Sequence, residues 1–178
     1  MLKLGLDLSL SSLRPMGAWS PDDETSLVAW YQNAVGITLN GSDVSAWADS
    51  SSNSYDMVQA DATEQPAYSA GTLTFASANK TNLQTAGQIS LTGDFTIGIK
   101  CTPTAFDGSF LADNTTSTEL FKFISTTKIK VKIDSANVNL DLDSGTFGDD
   151  YLVFTRVSNV IRLYHNGVIQ ASNPTAAG

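Results

Sequence analysis

Beyond residue 26 the chain contains no apolar stripe at helical spacing longer than two turns, which argues against a helical domain. Instead it has short apolar runs at 27–32, 37–39, 55–59, 72–76, 94–101, 109–112, 119–125, 128–134, 137–142, 151–157, 160–165 and 168–171. Gly, Asn, Asp and Ser separate them. Many short strands broken by turn residues predict an all-β, antiparallel sandwich or barrel. At 178 residues the chain is long enough to bury roughly 70% of its unfolded surface, so a core is expected without disulfide staples.

Two hairpins can be read in detail. Ile129, Val131 and Ile133 alternate with Lys128, Lys130 and Lys132, and Val138, Leu140 and Leu142 alternate with Asn139, Asp141 and Asp143. A turn at Ser135-Ala136 pairs Asp134 with Asn137, Lys130 with Asp141 and Lys128 with Asp143. Ile133, Val131 and Ile129 then meet Val138, Leu140 and Leu142 on the other face. The charges read as a solvated cross-strand ladder. The second hairpin joins 151–157 to 160–165 through Ser158-Asn159, setting Phe154 against Leu163 and Val153 against Tyr164. Asn166-Gly167 then predicts a tight turn with φ > 0 at both positions, returning the chain into 168–171.

The N-terminus has its own pattern. Leu2, Leu4, Leu6, Leu8 and Leu10 alternate with Lys3, Gly5, Asp7 and Ser9, as a strand with one buried face does. It precedes Pro15 and Pro21, outside the domain, so it needs a sheet or groove to join. The organisation expected is an arm at 1–14, a lead-in at 15–26 and a β-sandwich at 27–178. The five leucines are the predicted partner-binding residues. They act by strand addition, in which main-chain hydrogen bonds give affinity and alternate side chains filling pockets give specificity.

Composition removes several function classes. The formal net charge is −8 with only 16% charged residues, which argues against nucleic acid or an anionic membrane surface as partner. No apolar run of about 18 residues is present, so membrane insertion is not expected. The leucine arm is interrupted by Asp7 and lacks the continuous apolar region of a secretory signal. One cysteine, Cys101, precludes an internal disulfide, and its place in the alternation Phe95, Ile97, Ile99, Cys101 predicts a buried, inert thiol.

Three segments, in order, carry a resemblance. Trp47-Ala48-Asp49-Ser50-Ser51-Ser52-Asn53, with Gln59 and Gln65-Pro66-Ala67-Tyr68, is similar to a W-x-D-x-S-G-N…Q…QPxY pattern. Gly93-Asp94-Phe95-Thr96-Ile97 is similar to a G-x-F-T-I strand, and Ile161–Val168 to an "irLYvNGv" hairpin. Together they resemble the concanavalin A-like, laminin-G-like jelly rolls found in bacteriophage virion and secreted bacterial proteins. The resemblance covers about 27–171. Ser52 and Ser54 stand where that pattern has glycines, and His165 where it has valine. It also implies further strands after the Asn-Gly hairpin. On that expectation the sequence is a fragment, or its last edge is supplied by the arm or by a neighbouring subunit.

The residues offer little for catalysis. Glu24, Glu64 and Glu119 are isolated, so the paired carboxylates of a glycosidase are not expected, nor is a G-x-S-x-G elbow present. His165 reads as a strand residue satisfied locally, and one His with one Cys does not suit zinc. Calcium (Ca2+) is the cofactor the resemblance admits, with Asp43, Asp49, Asp107, Asp113, Asp149 and Asp150 as loop carboxylates. For a glycan, Tyr164 with Arg162, opposite Leu163, is the aromatic patch expected to face solvent.

Taken together these readings predict a non-enzymatic bacteriophage virion protein, a capsid- or tail-attached decoration or fibre component assembled in the host cytoplasm. Its expected partners are other virion proteins and further copies of itself. The alternative is a lectin-like module for host-surface glycans.

Overall fold

A computed structural model describes residues 19–113, 120–133 and 136–175. The arm residues Leu2, Leu4, Leu6, Leu8 and Leu10 lie outside the described residues, as do Glu119 and Asp134. The protein is all-β with antiparallel sheets of six, four and four strands, and the described residues contain no α-helix. It divides into two compact units, up to Ile89 and from Ser90.

The first unit holds β1 (Ile37–Asn40), β2 (Asp43–Trp47), β3 (Met57–Val58), β4 (Ala67–Ser69), β5 (Thr72–Thr74) and β6 (Gln84–Thr85). Their order is β5-β4-β2-β3-β6, with β1 also on β2. Gly41, at φ +66°, turns β1 into β2. The pairing slips so that Thr38 meets Ala46 while Leu39 meets Val44, which leaves Ser45 as the extra residue of a bulge. Ser45 then accepts the Gln59 N–H at 2.9 Å and so extends the contact toward β3. Gly36 is required for a different reason: a Cβ there would lie 2.8 Å from the Ala48 Cβ.

Residues 27–32, expected as a strand, are not one. Their backbone is satisfied by side chains of the loop at 49–53. The Asn53 amide donates to the carbonyls of Leu27 and Val28 at 2.9 and 3.0 Å. The Trp30 N–H donates to Asp49 Oδ1 at 2.8 Å. A segment whose polar groups are met this way has no need of a neighbouring strand.

The second unit holds β7 (Phe95–Cys101), β8 (Ser109–Ala112), β9 (Leu120–Ser125), β10 (Lys128–Ile133), β11 (Ala136–Asp141), β12 (Asp150–Val157), β13 (Val160–His165) and β14 (Val168–Ile169). One sheet is the meander β11-β10-β9-β8, and the other runs β14-β13-β12-β7. The chain thus leaves the second sheet after β7, builds the whole meander, and returns at β12. Both sheets turn apolar residues into one core. Phe121, Phe123, Ile129, Val131 and Leu140 come from the meander, and Leu152, Phe154, Ile161 and Leu163 from the other sheet. Phe121 and Phe154 meet across it edge to face at 5.0 Å between ring centroids.

The hairpin from β12 through β14 has the register read from sequence. Phe154 pairs with Leu163 and Val153 with Tyr164. Ser158 and Asn159 have φ of 50° and 67°, and Asn166 and Gly167 of 50° and 84°. The β10–β11 register is corrected. Lys128 pairs with Asp141, Ile129 with Leu140, Val131 with Val138 and Ile133 with Ala136. This is two residues from the expected pairing. A slip of two keeps every side chain on its face, so the apolar pattern cannot distinguish the registers. The observed one brings Lys128 to 2.8 Å from Asp141.

Candidate functional site

The tryptophan-led motif forms a polar hub. Asp49 accepts from the N–H groups of Trp30 and Ser51, each at 2.8 Å, from the Ser51 hydroxyl at 2.7 Å and from the Tyr55 N–H at 3.0 Å. Burial works to raise the Asp49 pKa, but these donors outweigh it and hold the carboxyl below its ordinary 3.8. Trp47 donates its indole N–H to the carbonyls of Gln32 and Val35, both at 3.1 Å, and packs on Tyr31 with 5.6 Å between rings. Burial, with the negative charges of Asp49 and Asp56, pushes Tyr31 up to about 12. The second half of the motif does similar work. Buried Gln65 donates to the Gln59 carbonyl at 2.8 Å and accepts from Asn40 at 3.1 Å. These polar side chains are turned onto the chain itself. Beside them lies an open depression of about 540 Å³, lined in part by Asp43, Thr63, Gln65, Thr74 and Asn79.

In the second unit the fold makes a pair that the sequence reading did not find. His165 Nε2 lies 2.8 Å from Asp150 Oδ1, with both side chains largely buried. Asp150 also accepts from the Asn166 amide at 2.7 Å and from the Gly148 N–H at 2.6 Å. Burial works to raise its pKa; the Gly148, Asn166 and His165 donors prevail and hold it below 3.8. The Asn166 Oδ1 in turn accepts the Tyr151 N–H at 2.9 Å, so the cluster ties the Asn-Gly turn to the start of β12. The register contained the signal: Leu152 pairs with His165, which puts Asp150 on the same face, two residues along.

Cys101 sits directly opposite Asp150 across the β7–β12 ladder, on the core side as expected. Burial, with the charge of Asp150 adding to it, pushes the thiol up to about 11. A thiol held protonated at neutral pH is a weak nucleophile.

The carboxylates proposed for calcium are scattered. Asp107 pairs with Lys122 at 2.7 Å, Asp149 with Lys100, and Asp49 and Asp150 serve their hubs. Among the described residues no three His, Cys, Asp or Glu side chains are grouped to hold a metal ion.

Arg162 and Tyr164 share the outer face of the β14-β13-β12-β7 sheet, opposite the core, and both are half-buried. Tyr164 lies between Val153 on β12 and Ile169 on β14, and Arg162 faces Thr155. Tyr151, further along the same face of β12, is 63% exposed, with the Lys100 ammonium 4.5 Å from its ring centroid. On β7 the row ends at Gly98, whose missing side chain leaves open space. Comparison with protein-family models, with curated proteins and with solved structures found no match for this chain.

Proposed function

We propose that the chain is a structural protein of a bacteriophage virion, a decoration or fibre component on capsid or tail, anchored through Leu2, Leu4, Leu6, Leu8 and Leu10. In this reading the β-sheets of the second unit are the two halves of a concanavalin A-like jelly roll. One observation carries it: the polar side chains that form the hubs of both units are used internally. Asp49, Gln65, Asp150 and Asn166 all brace backbone or one another. The described residues also present sheet edges and exposed apolar side chains such as Val157, Val168 and Ile169, material suited to assembly. Partner addition at strands suits an arm with a strict period of two.

Replacing Leu4, Leu6 and Leu8 with Ser is expected to abolish incorporation into particles while tryptophan fluorescence stays native. Full incorporation of that variant in particle gradients would overturn the anchoring role.

A second reading rests on the outer face, where Tyr151, Arg162 and Tyr164 lie on one side of the sheet. Aromatic rings with polar tips bind sugars by stacking. On a glycan array, Tyr164→Ala should lose a signal that the native chain gives. An array blank for the native chain removes this reading.

A further inference from the structure

We infer that the far edge of β7 is the acceptor for the leucine arm, and that the arm it receives comes from a second copy of this chain. The inference rests on the anchoring role above and names the partner.

Strand β7 ends the order β14-β13-β12-β7, and among the described residues no strand is hydrogen-bonded to its other edge. It pairs with β12 over seven residues without a register shift, from Asp150 opposite Cys101 to Arg156 opposite Phe95. The other edges of this unit are blunted. Strand β14 has two residues, and β8 is short with a shifted register. Strand β11 carries Asn137, Asn139 and Asp141, and the Ser172 hydroxyl caps the Asn139 carbonyl at 3.2 Å. Strand β7 has no proline or bulge, and its one charge, Lys100, is committed to Asp149. A long, straight, apolar edge without such guards is a template for strand addition.

Its cover is also incomplete. Phe95, Ile97, Ile99 and Cys101 pack against the core yet stay half-buried, whereas Leu152, Phe154 and Arg156 on the neighbouring strand are fully buried. A strand added here with an apolar residue at every second position would cover that row. Leu2 to Leu10 supply such a face over nine residues. The opposite side, Lys3, Gly5, Asp7 and Ser9, is as small and polar as Thr96, Gly98 and Lys100.

From Leu10 to Trp19 an extended chain spans roughly 30 Å, about the width of a small domain. Every copy brings one arm and one open edge. Passing each arm to the next copy satisfies both in a heterologous contact, which closes as a ring if the rotation allows.

The test uses the isolated full-length chain and needs no virion, so it can fail while the particle experiment succeeds. Light scattering gives the assembly state, and hydrogen exchange gives protection at 95–101, for the native chain and for the Leu4→Ser, Leu6→Ser, Leu8→Ser variant. The expected result is a native oligomer. The variant should be a monomer whose 95–101 amides exchange at least about tenfold faster, with 150–165 unchanged. Equal protection at 95–101 in both proteins would overturn the inference. So would a monomeric native chain whose protection depends on the arm, because that arm would be closing its own edge.

Discussion

The two units are stabilised by different means. In the first, Val44 and Pro66 are the fully buried apolar side chains among the described residues, and the polar hubs of Asp49 and Gln65 hold loops to strands. In the second, eleven buried apolar residues form one cluster between two sheets. A hydrogen-bond scaffold is specific but adds little net free energy per bond, about 1 kcal/mol. An apolar core gives more and tolerates variation in its surface. The first unit should therefore fail at single polar atoms, and the second at cavities.

The largest effect that tests this contrast is a cavity. Phe154 is fully buried and meets Phe110 and Phe121 at 5.9 and 5.0 Å between centroids. Phe154→Ala should cost about 3–5 kcal/mol in the second unit. All three tryptophans, Trp19, Trp30 and Trp47, lie in the first unit, so their fluorescence reports that unit alone. In denaturant, exchange protection at 150–165 should be lost early while the tryptophan transition keeps its midpoint. If both move together, the units do not separate as their packing implies.

The reciprocal change is smaller. Asp49→Ala removes the acceptor for three backbone N–H groups and one hydroxyl, and should cost about 2–3 kcal/mol. Here the tryptophan transition should move and exchange at 150–165 should not. An unchanged tryptophan midpoint would mean that the hub is incidental to the first unit's fold.

The same contrast explains what the sequence made legible. In the second unit strict alternation marked the strands, and Ser158-Asn159 and Asn166-Gly167 marked the turns, because side-chain direction follows position there. The β10–β11 register could not be read, since a slip of two leaves the pattern unchanged. In the first unit the apolar run misled. Leu27–Gln32 is apolar enough for a strand, but its backbone is met by Asn53, Ser51 and Asp49. Asp43–Trp47 is a strand without looking like one, because the bulge at Ser45 breaks its period. Of the candidate site, Arg162 and Tyr164 lie on the face opposite Leu163 as the alternation implied, but half-buried where an exposed patch was expected. The Asp150–His165 pair was missed because it depends on combining register with a neighbour two positions away.

Acid should separate the units by the smallest margin. Asp49 and Asp150 both have folded pKa values held below 3.8, against the opposing effect of burial, by the donors around them. A carboxyl depressed in the folded state contributes stability that is complete above the unfolded value, and that contribution falls as pH drops through the folded one. Both units should therefore hold this contribution in full above about pH 5 and lose it below about pH 4. The loss should be less than that of Asp49→Ala, because a protonated carboxyl keeps a carbonyl oxygen that still accepts one or two of the N–H groups. With few buried contacts to offset it, the first unit should show the larger shift in denaturation midpoint between pH 5 and pH 3, read by tryptophan fluorescence. In Asp49→Ala that shift should shrink. If acid moves the tryptophan transition equally with and without Asp49, other carboxylates set the acid sensitivity and the hub's role is confined to geometry.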